Sequence, residues 1–246
     1  MSGLQVTALQ PLPEVEPGDD LAALLLAAGA RDLGPGDVLV VAHKVVSKAE
    51  GAIADLAGVT PSRQAFELAA AHDKDPRHVQ VVLDQSAELV RAAHGVLICR
   101  THHGFVCANA GVDASNAGAP DRLVTLPRDP DASARRLRAA LPRRPAVVIT
   151  DSFGRAWRHG QVDVAIGIAG LGPLEDWRGR ADADGRELHA TWIAIADEAA
   201  AAADLVRGKD SRVPAIAVSG LDRHVTQEDG PGAGTLVRPR AEDLFA

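Results

Sequence analysis

Tyrosine does not occur in this chain, and the aromatic residues together make up only 3% of its 246 residues. A surface that stacks nucleic-acid bases on rings is therefore not expected. Positive charge is also in the minority: Lys and Arg number 26 against 33 Asp and Glu, a net charge of -7. That balance argues against a nucleic-acid coat and against a polybasic membrane face. The opening MSGLQVTALQPLPEVEPG has no basic stretch leading into an apolar run. No apolar run reaches the roughly 18 residues of a spanning helix. A cytoplasmic protein with neither nucleic acid nor membrane as partner is expected. Cysteine is scarce too, with Cys99 and Cys107 flanking an apparent turn. A disulfide, a ligand pair or two inert thiols would all fit, and inert thiols are the reading for a reducing compartment.

The usual nucleotide signatures are missing as well. Gly208-Lys209 has neither the upstream glycine nor the following hydroxyl residue of a P-loop, and Gly167, Gly170 and Gly172 do not keep dinucleotide spacing. Those glycines are read as packing or turn positions. What is plentiful is Ala, Val, Leu and Ile, which bring the hydrophobic share to 46% and allow a sizeable core.

Along the chain, Leu4 to Leu9 alternates weakly. Asp19 is placed to cap a helix from Leu21 to Ala28 that Gly29 ends. VLVVAHKVVSKAEG reads as a buried strand running into polar residues. Pro61 to Ala71 reads as an amphipathic helix, Val79 to Leu83 as a strand, and Gly95 to Asn109 as a hairpin with its loop at residues 101–104. Asp131 to Leu141 reads as a basic helix, followed by the strand AVVIT. The alanine-rich run from Glu187 to Val206 should be the longest helix. PAIAVSG is the last strand, and Thr226 to Gly234 is expected to be a mobile loop. Irregular alternation with hairpin-length spacings favours α+β over a doubly wound parallel sheet.

Two aspartates stand where chemistry could sit. Asp113 in GVDASN and Asp151 in ITDSFGR each follow an apolar segment and open into small polar residues. Carboxylates at strand ends beside hydroxyl or amide groups are hard oxygen ligands suited to Mg2+ or Mn2+, although either alone could simply cap a turn. Lys44, Lys48, Arg155 and Arg158 are the cations able to meet phosphates during phosphoryl transfer. His102 and His103 are adjacent, so on a strand they would point to opposite faces and could not readily share a metal. No Ser-His-Asp or Cys-His spacing marks a nucleophile.

SKAEG at residues 47–51, AGVDASN at 110–116, ITDSFGRAWRHGQVDVAIG at 149–167 and ADEAAAAADLVRGK at 196–209 together resemble the coenzyme F420-0:L-glutamate ligase family in its stand-alone form, without the flavin-related domain fused to some bacterial relatives. The resemblance covers nearly the whole chain. It implies a γ-glutamyl ligase-like α+β fold with mixed and antiparallel sheets, built as two intertwined lobes in a homodimer. The chain would be a single ligase unit over 1–246, with a discontinuous lobe (about 1–80 and 190–246) and an inserted lobe (about 81–189).

The resemblance further implies that GTP activates the carboxylate of a deazaflavin coenzyme precursor as an acyl phosphate, which L-glutamate then attacks. Mg2+ or Mn2+, as two ions, would assist, with K+ as a further candidate. Asp113, Asp151 and Ser152 match the metal positions. Lys48, Asn116, the stretch Leu12-Pro13-Glu14-Val15 and the stretch from Arg207, Gly208, Lys209 and Asp210 to Pro214 match nucleotide-contacting positions. His43 and Lys44 are counted with these nucleotide-binding positions, although His43 stands where relatives often carry a small hydroxyl residue. Lys209 stands where some have an oxygen-bearing metal ligand, which an ammonium cannot replace. A γ-glutamyl ligase for a folate-like or other pterin acceptor, and a non-catalytic nucleotide-binding homologue, are the alternatives.

Overall fold

The computed structural model describes residues 3–243. In chain order the strands are β1 Gln5–Ala8, β2 Val38–Ala42, β3 Ile53–Asp55, β4 Ser86–Ala93, β5 Val96–Thr101, β6 Val106–Ala108, β7 Arg122–Val124, β8 Ala146–Arg155, β9 Arg158–Ala169, β10 Glu175–Asp176, β11 Trp192–Ile193 and β12 Ala215–Ser219. The α-helices are α1 Leu21–Ala27, α2 His43–Ala49, α3 Arg63–His72, α4 Pro76–Asp84, α5 Pro130–Ala140 and α6 Ile195–Arg207. The fold is α+β.

Its principal sheet has the order β1-β12-β2-β8-β9 and is antiparallel except at its middle, where β2 and β8 run parallel with Ala42 opposite Thr150. Val38 to Val41 and Ala146 to Ile149 have no exposed surface, as expected of short apolar strands covered on both faces. Helices α1, α5 and α6 contribute Leu25, Leu137 and Ala203 to the same core. A second core, built by Leu56, Ala65, Val79, Val82, Leu97, Cys99 and Leu123, lies under α3, α4 and the β4-β5-β6 sheet. The segment expected as an inserted lobe is thus divided. Val81, Leu97, Cys99, Val112 and Leu123 join the second core, whereas Phe105 joins the first and 146–169 supply two strands of the principal sheet.

Several local expectations are corrected. Val79 to Leu83 is part of helix α4, which starts with Asp75 as cap and Pro76 in its first turn. That start signal outweighs the β-branched residues behind it. The polar residues after VLVVA form helix α2, which no side chain caps. The cap of α1 is Asp20, which accepts from the Ala23 amide, while Asp19 accepts from the Glu16 amide. Helix α6 begins at Ile195, not near 187, because residues 175–193 form a β10-β11 arm with turns. It is nonetheless the longest helix, at 13 residues. The segment from Thr226 is tied down: the buried Arg138 guanidinium donates to the carbonyls of Thr226 (2.7 Å) and Gln227 (3.1 Å) and to Asp229 (2.6 Å).

Strand β9 meets the start of α5 at Gly167, where an added Cβ would overlap the Pro130 carbonyl. Both elements are backbone there, so neither can yield cheaply. Gly167→Ala is expected to cost about 1–3 kcal/mol, read as a fall in the urea midpoint at unchanged slope.

Candidate active site

Because β2 and β8 are parallel neighbours, the residues that follow them emerge side by side at one edge of the sheet. Beyond Ala42 the chain turns into α2, and beyond Thr150 come Asp151 and Ser152. Parallel strand pairs commonly hold ligands at this end. Here the edge forms the floor of a cavity of about 460 Å³ whose walls are the segments 12–15 and 207–214. The walls are fastened to each other and to the sheet: the Leu12 amide donates to the Arg212 carbonyl (3.1 Å), and the Ala42 amide to the Pro214 carbonyl (2.8 Å).

Leu12, Pro13, Glu14, Val15, His43, Lys44, Lys48, Asn116, Asp151, Ser152, Arg207, Gly208, Lys209 and Asp210 all line this cavity. Asp113 does not line it. It reaches the cavity through Lys44, whose Nζ lies 2.6 Å from Asp113 Oδ2, and its other oxygen accepts from the Ser115 amide at 2.6 Å. Burial pushes the Asp113 carboxyl up, but these bonds outweigh it and hold the group below the usual carboxylate range. Arg155 and Arg158 also lie outside the cavity. They sit at the exposed turn of the β8-β9 hairpin, where they face each other and Arg155 donates to the His159 carbonyl (2.7 Å).

Besides Lys44, three further cations of the cavity are already matched. Lys48 pairs with Glu14. Lys209 Nζ donates to Ser152 Oγ at 2.9 Å and lies 3.6 Å from Asp204. Arg207 pairs with Asp163, a residue the sequence reading missed. Asp163 is 2% exposed and organises the floor: Thr150 donates to it at 2.8 Å and Ser152 at 2.6 Å, and Arg207 Nη1 also donates to it. The signal was a lone carboxylate inside the otherwise apolar stretch VDVAIG, whose alternation turns it inward with Ala165. Arg207 Nε and Nη2 are buried and have no hydrogen-bond partner among the described residues. A guanidinium with spare donors on a cavity wall is a site for an anionic oxygen.

The oxygens suit a hard divalent cation. Asp151, 15% exposed, accepts from the Ser152 amide with Oδ1, and Oδ2 has no hydrogen bond among the described residues. The Ser152 hydroxyl proton is committed to Asp163, so its oxygen acts as an acceptor, a place a cation would take over from Lys209. Among the described residues no three His, Cys, Asp or Glu side chains converge as a complete cage. Mg2+ ordinarily binds one or two carboxylates and fills its shell with water and phosphate oxygens, so the set fits.

Away from the cavity, the His102 ring meets the Asp84 carbonyl (3.1 Å) and the His103 ring the Pro127 carbonyl (3.0 Å). Cys99 and Cys107 face each other across β5 and β6 as free, buried thiols. Burial raises both, Cys107 to about 12, and a thiol held so high is unreactive. No helix of the described residues is long and apolar enough to cross a membrane.

Comparison with known proteins agrees over the whole length. Residues 11–220 match the family described as F420-0:Gamma-glutamyl ligase. The coenzyme F420:L-glutamate ligase of Methanothermobacter thermautotrophicus is 45% identical over 252 residues, covering 99% of both chains. That of Methanopyrus kandleri is 44% identical across 100% of both. The Halobacterium salinarum enzyme of the same name is 46% identical over 86% of this chain and 85% of its own. With the family matched across the two strand ends, the hairpin between them and both cavity walls, this chain belongs to the F420-0:gamma-glutamyl ligase family and is a ligase.

Proposed function

We propose that the cavity joins L-glutamate to a carboxylate of a coenzyme F420 precursor at the expense of GTP. The observation that carries this reading is the floor itself. Asp151 and Ser152 present oxygens beside Lys44, Lys48 and the half-satisfied Arg207, all within one cavity. A carboxylate is a poor acceptor for an amine, so it is first activated. An oxygen of the precursor carboxylate attacks the γ-phosphorus of GTP, the bond to the bridging oxygen breaks, and GDP leaves. The glutamate amine then attacks the acyl carbon, loses a proton, and expels phosphate as the carbon–oxygen bond breaks.

Arg207, through Nε and Nη2, and Lys44 and Lys48, if freed from Asp113 and Glu14, would hold the phosphate oxygens in line and offset their charge. Asp151 and Ser152, with Asp113 released from Lys44, would hold Mg2+ or Mn2+. Such an ion supplies charge neutralisation and orientation of the triphosphate. Arg155 and Arg158 stand too far out on the hairpin to be given this work within one chain. K+ as an additional ion and a homodimeric assembly belong to the same proposal.

The test is mass spectrometry of the acceptor after incubation with GTP, Mn2+ and L-glutamate. The expected product is the deazaflavin precursor enlarged by one glutamyl residue or more, with faster turnover on GTP than on ATP. Glutamylation of a folate-like acceptor instead would reassign the substrate. No enlargement of either acceptor would leave a nucleotide-binding homologue without ligase activity.

A further inference from the structure

At the cavity floor lies an imidazole nitrogen with no hydrogen-bond partner among the described residues. The His43 side chain is 2% exposed, with Nε2 3.2 Å from Asp151 Oδ1. Its Nδ1 lies 3.3 Å from Ser47 Oγ, one turn along α2. Close as it is to the carboxylate, Nε2 makes no aligned hydrogen bond to any described residue. Leaving a buried ring nitrogen unpaired is unfavourable, and a group placed between Nε2 and the nearby Asp151 carboxylate would satisfy it.

A neutral imidazole carries a proton on one nitrogen and a lone pair on the other. If Nδ1–H donates to Ser47, Nε2 keeps the lone pair, and holding the far N–H in this way is how metal-binding histidines are oriented. Two atoms bound to one ion at a right angle, by bonds of about 2.1 Å, stand about 3 Å apart with no hydrogen bond between them. The Asp151 carboxylate, free at Oδ2, can rotate to admit an ion between itself and the ring.

We infer that His43 Nε2 and Asp151 form a mixed nitrogen–oxygen ligand pair for the divalent ion, an inference that rests on the metal reading of Asp151 given above. An imidazole ligand favours transition ions over Mg2+. The pair therefore sets the metal preference of this chain toward Mn2+.

The experiment uses the purified full chain and Mn2+ alone. Electron spin-echo modulation of bound Mn2+ should show coupling to nitrogen-14 that is absent in His43→Gln. In that variant the dissociation constant for Mn2+ should rise about ten- to hundredfold while that for Mg2+, measured by competition, moves less than about twofold. Coupling that persists in the variant, or equal weakening of both ions, overturns the inference. Should His43→Gln not fold, nitrogen-15 histidine labelling of the unaltered protein decides: an unchanged modulation pattern rejects an imidazole ligand. If Mn2+ binds tightly without nitrogen coupling, only this inference fails. If no Mn2+ binds, the metal reading of Asp151 fails with it.

Discussion

Asp151→Asn should lower glutamate-dependent phosphate release from GTP about a thousandfold, with no measurable change in melting temperature. An amide is a far weaker ligand for a hard cation than a carboxylate and carries no charge to hold one against a triphosphate. Electrostatic help of this kind is worth several kcal/mol in the transition state, and about 4 kcal/mol corresponds to a thousandfold. The fold has little at stake. Oδ1 accepts from the Ser152 amide, a role the Asn carbonyl oxygen can take over, and the backbone pairing of Asp151 with Val164 does not depend on the side chain. Phosphate release should be followed beside a thermal melt. Full turnover in the variant would remove Asp151 from the chemistry, whereas a collapsed melt would show a structural role.

The second large effect concerns stability. Asp163→Ala should lower the unfolding free energy by about 3–5 kcal/mol, the cost of leaving one member of a buried ion pair without its partner. Arg207, 8% exposed, would be that stranded member. For a chain of this size the loss corresponds to about 6–20 °C in melting temperature. Combining Asp163→Leu with Arg207→Met should restore most of the stability, because replacing both charges by apolar groups removes the desolvation burden as well. Ligation should stay lost in the double variant. Ser152 would no longer have the acceptor that orients its hydroxyl, and the wall would lack its guanidinium. A double-mutant cycle on denaturant midpoints measures the coupling. Additive losses would show that the two residues do not stabilise each other.

How far the sequence could be read depended on where each signal was local. Strands β2 and β12 and the start of β8 were visible because four or five consecutive apolar residues ended at polar ones. Helix α6 was visible through its alanines, but its start was not, since the β10-β11 arm ahead of it is short and polar and depends on pairing residues 175–176 with 192–193. Helix α2 carried no capping side chain to announce it. Helix α4 did carry one, Asp75 with Pro76, and was misread because Val79, Val81 and Val82 suit a strand equally well.

The cavity shows the same division. Asp151 could be singled out from its place after an apolar run, and the resemblance supplied the two walls. Asp163 could not be weighted, because its importance comes from Thr150, Ser152 and Arg207, which approach it only once β8, β9 and α6 are packed. Arg155 and Arg158 looked well placed for phosphate because they follow Asp151 closely. In the structure β8 continues past Asp151 to the hairpin turn and carries them away from the cavity.

The single parallel contact in the principal sheet, β2 against β8, has a consequence for how the enzyme comes into being. It joins stretches of chain separated by the entire second core, so the cavity floor is complete only when both stretches are present and paired, and long-range pairings of this kind form slowly. The cavity floor therefore depends on the pairing of these two distant strands. On the proposed function, a nucleotide and a cation that bind only the finished state should protect the protein against unfolding in proportion to their occupancy.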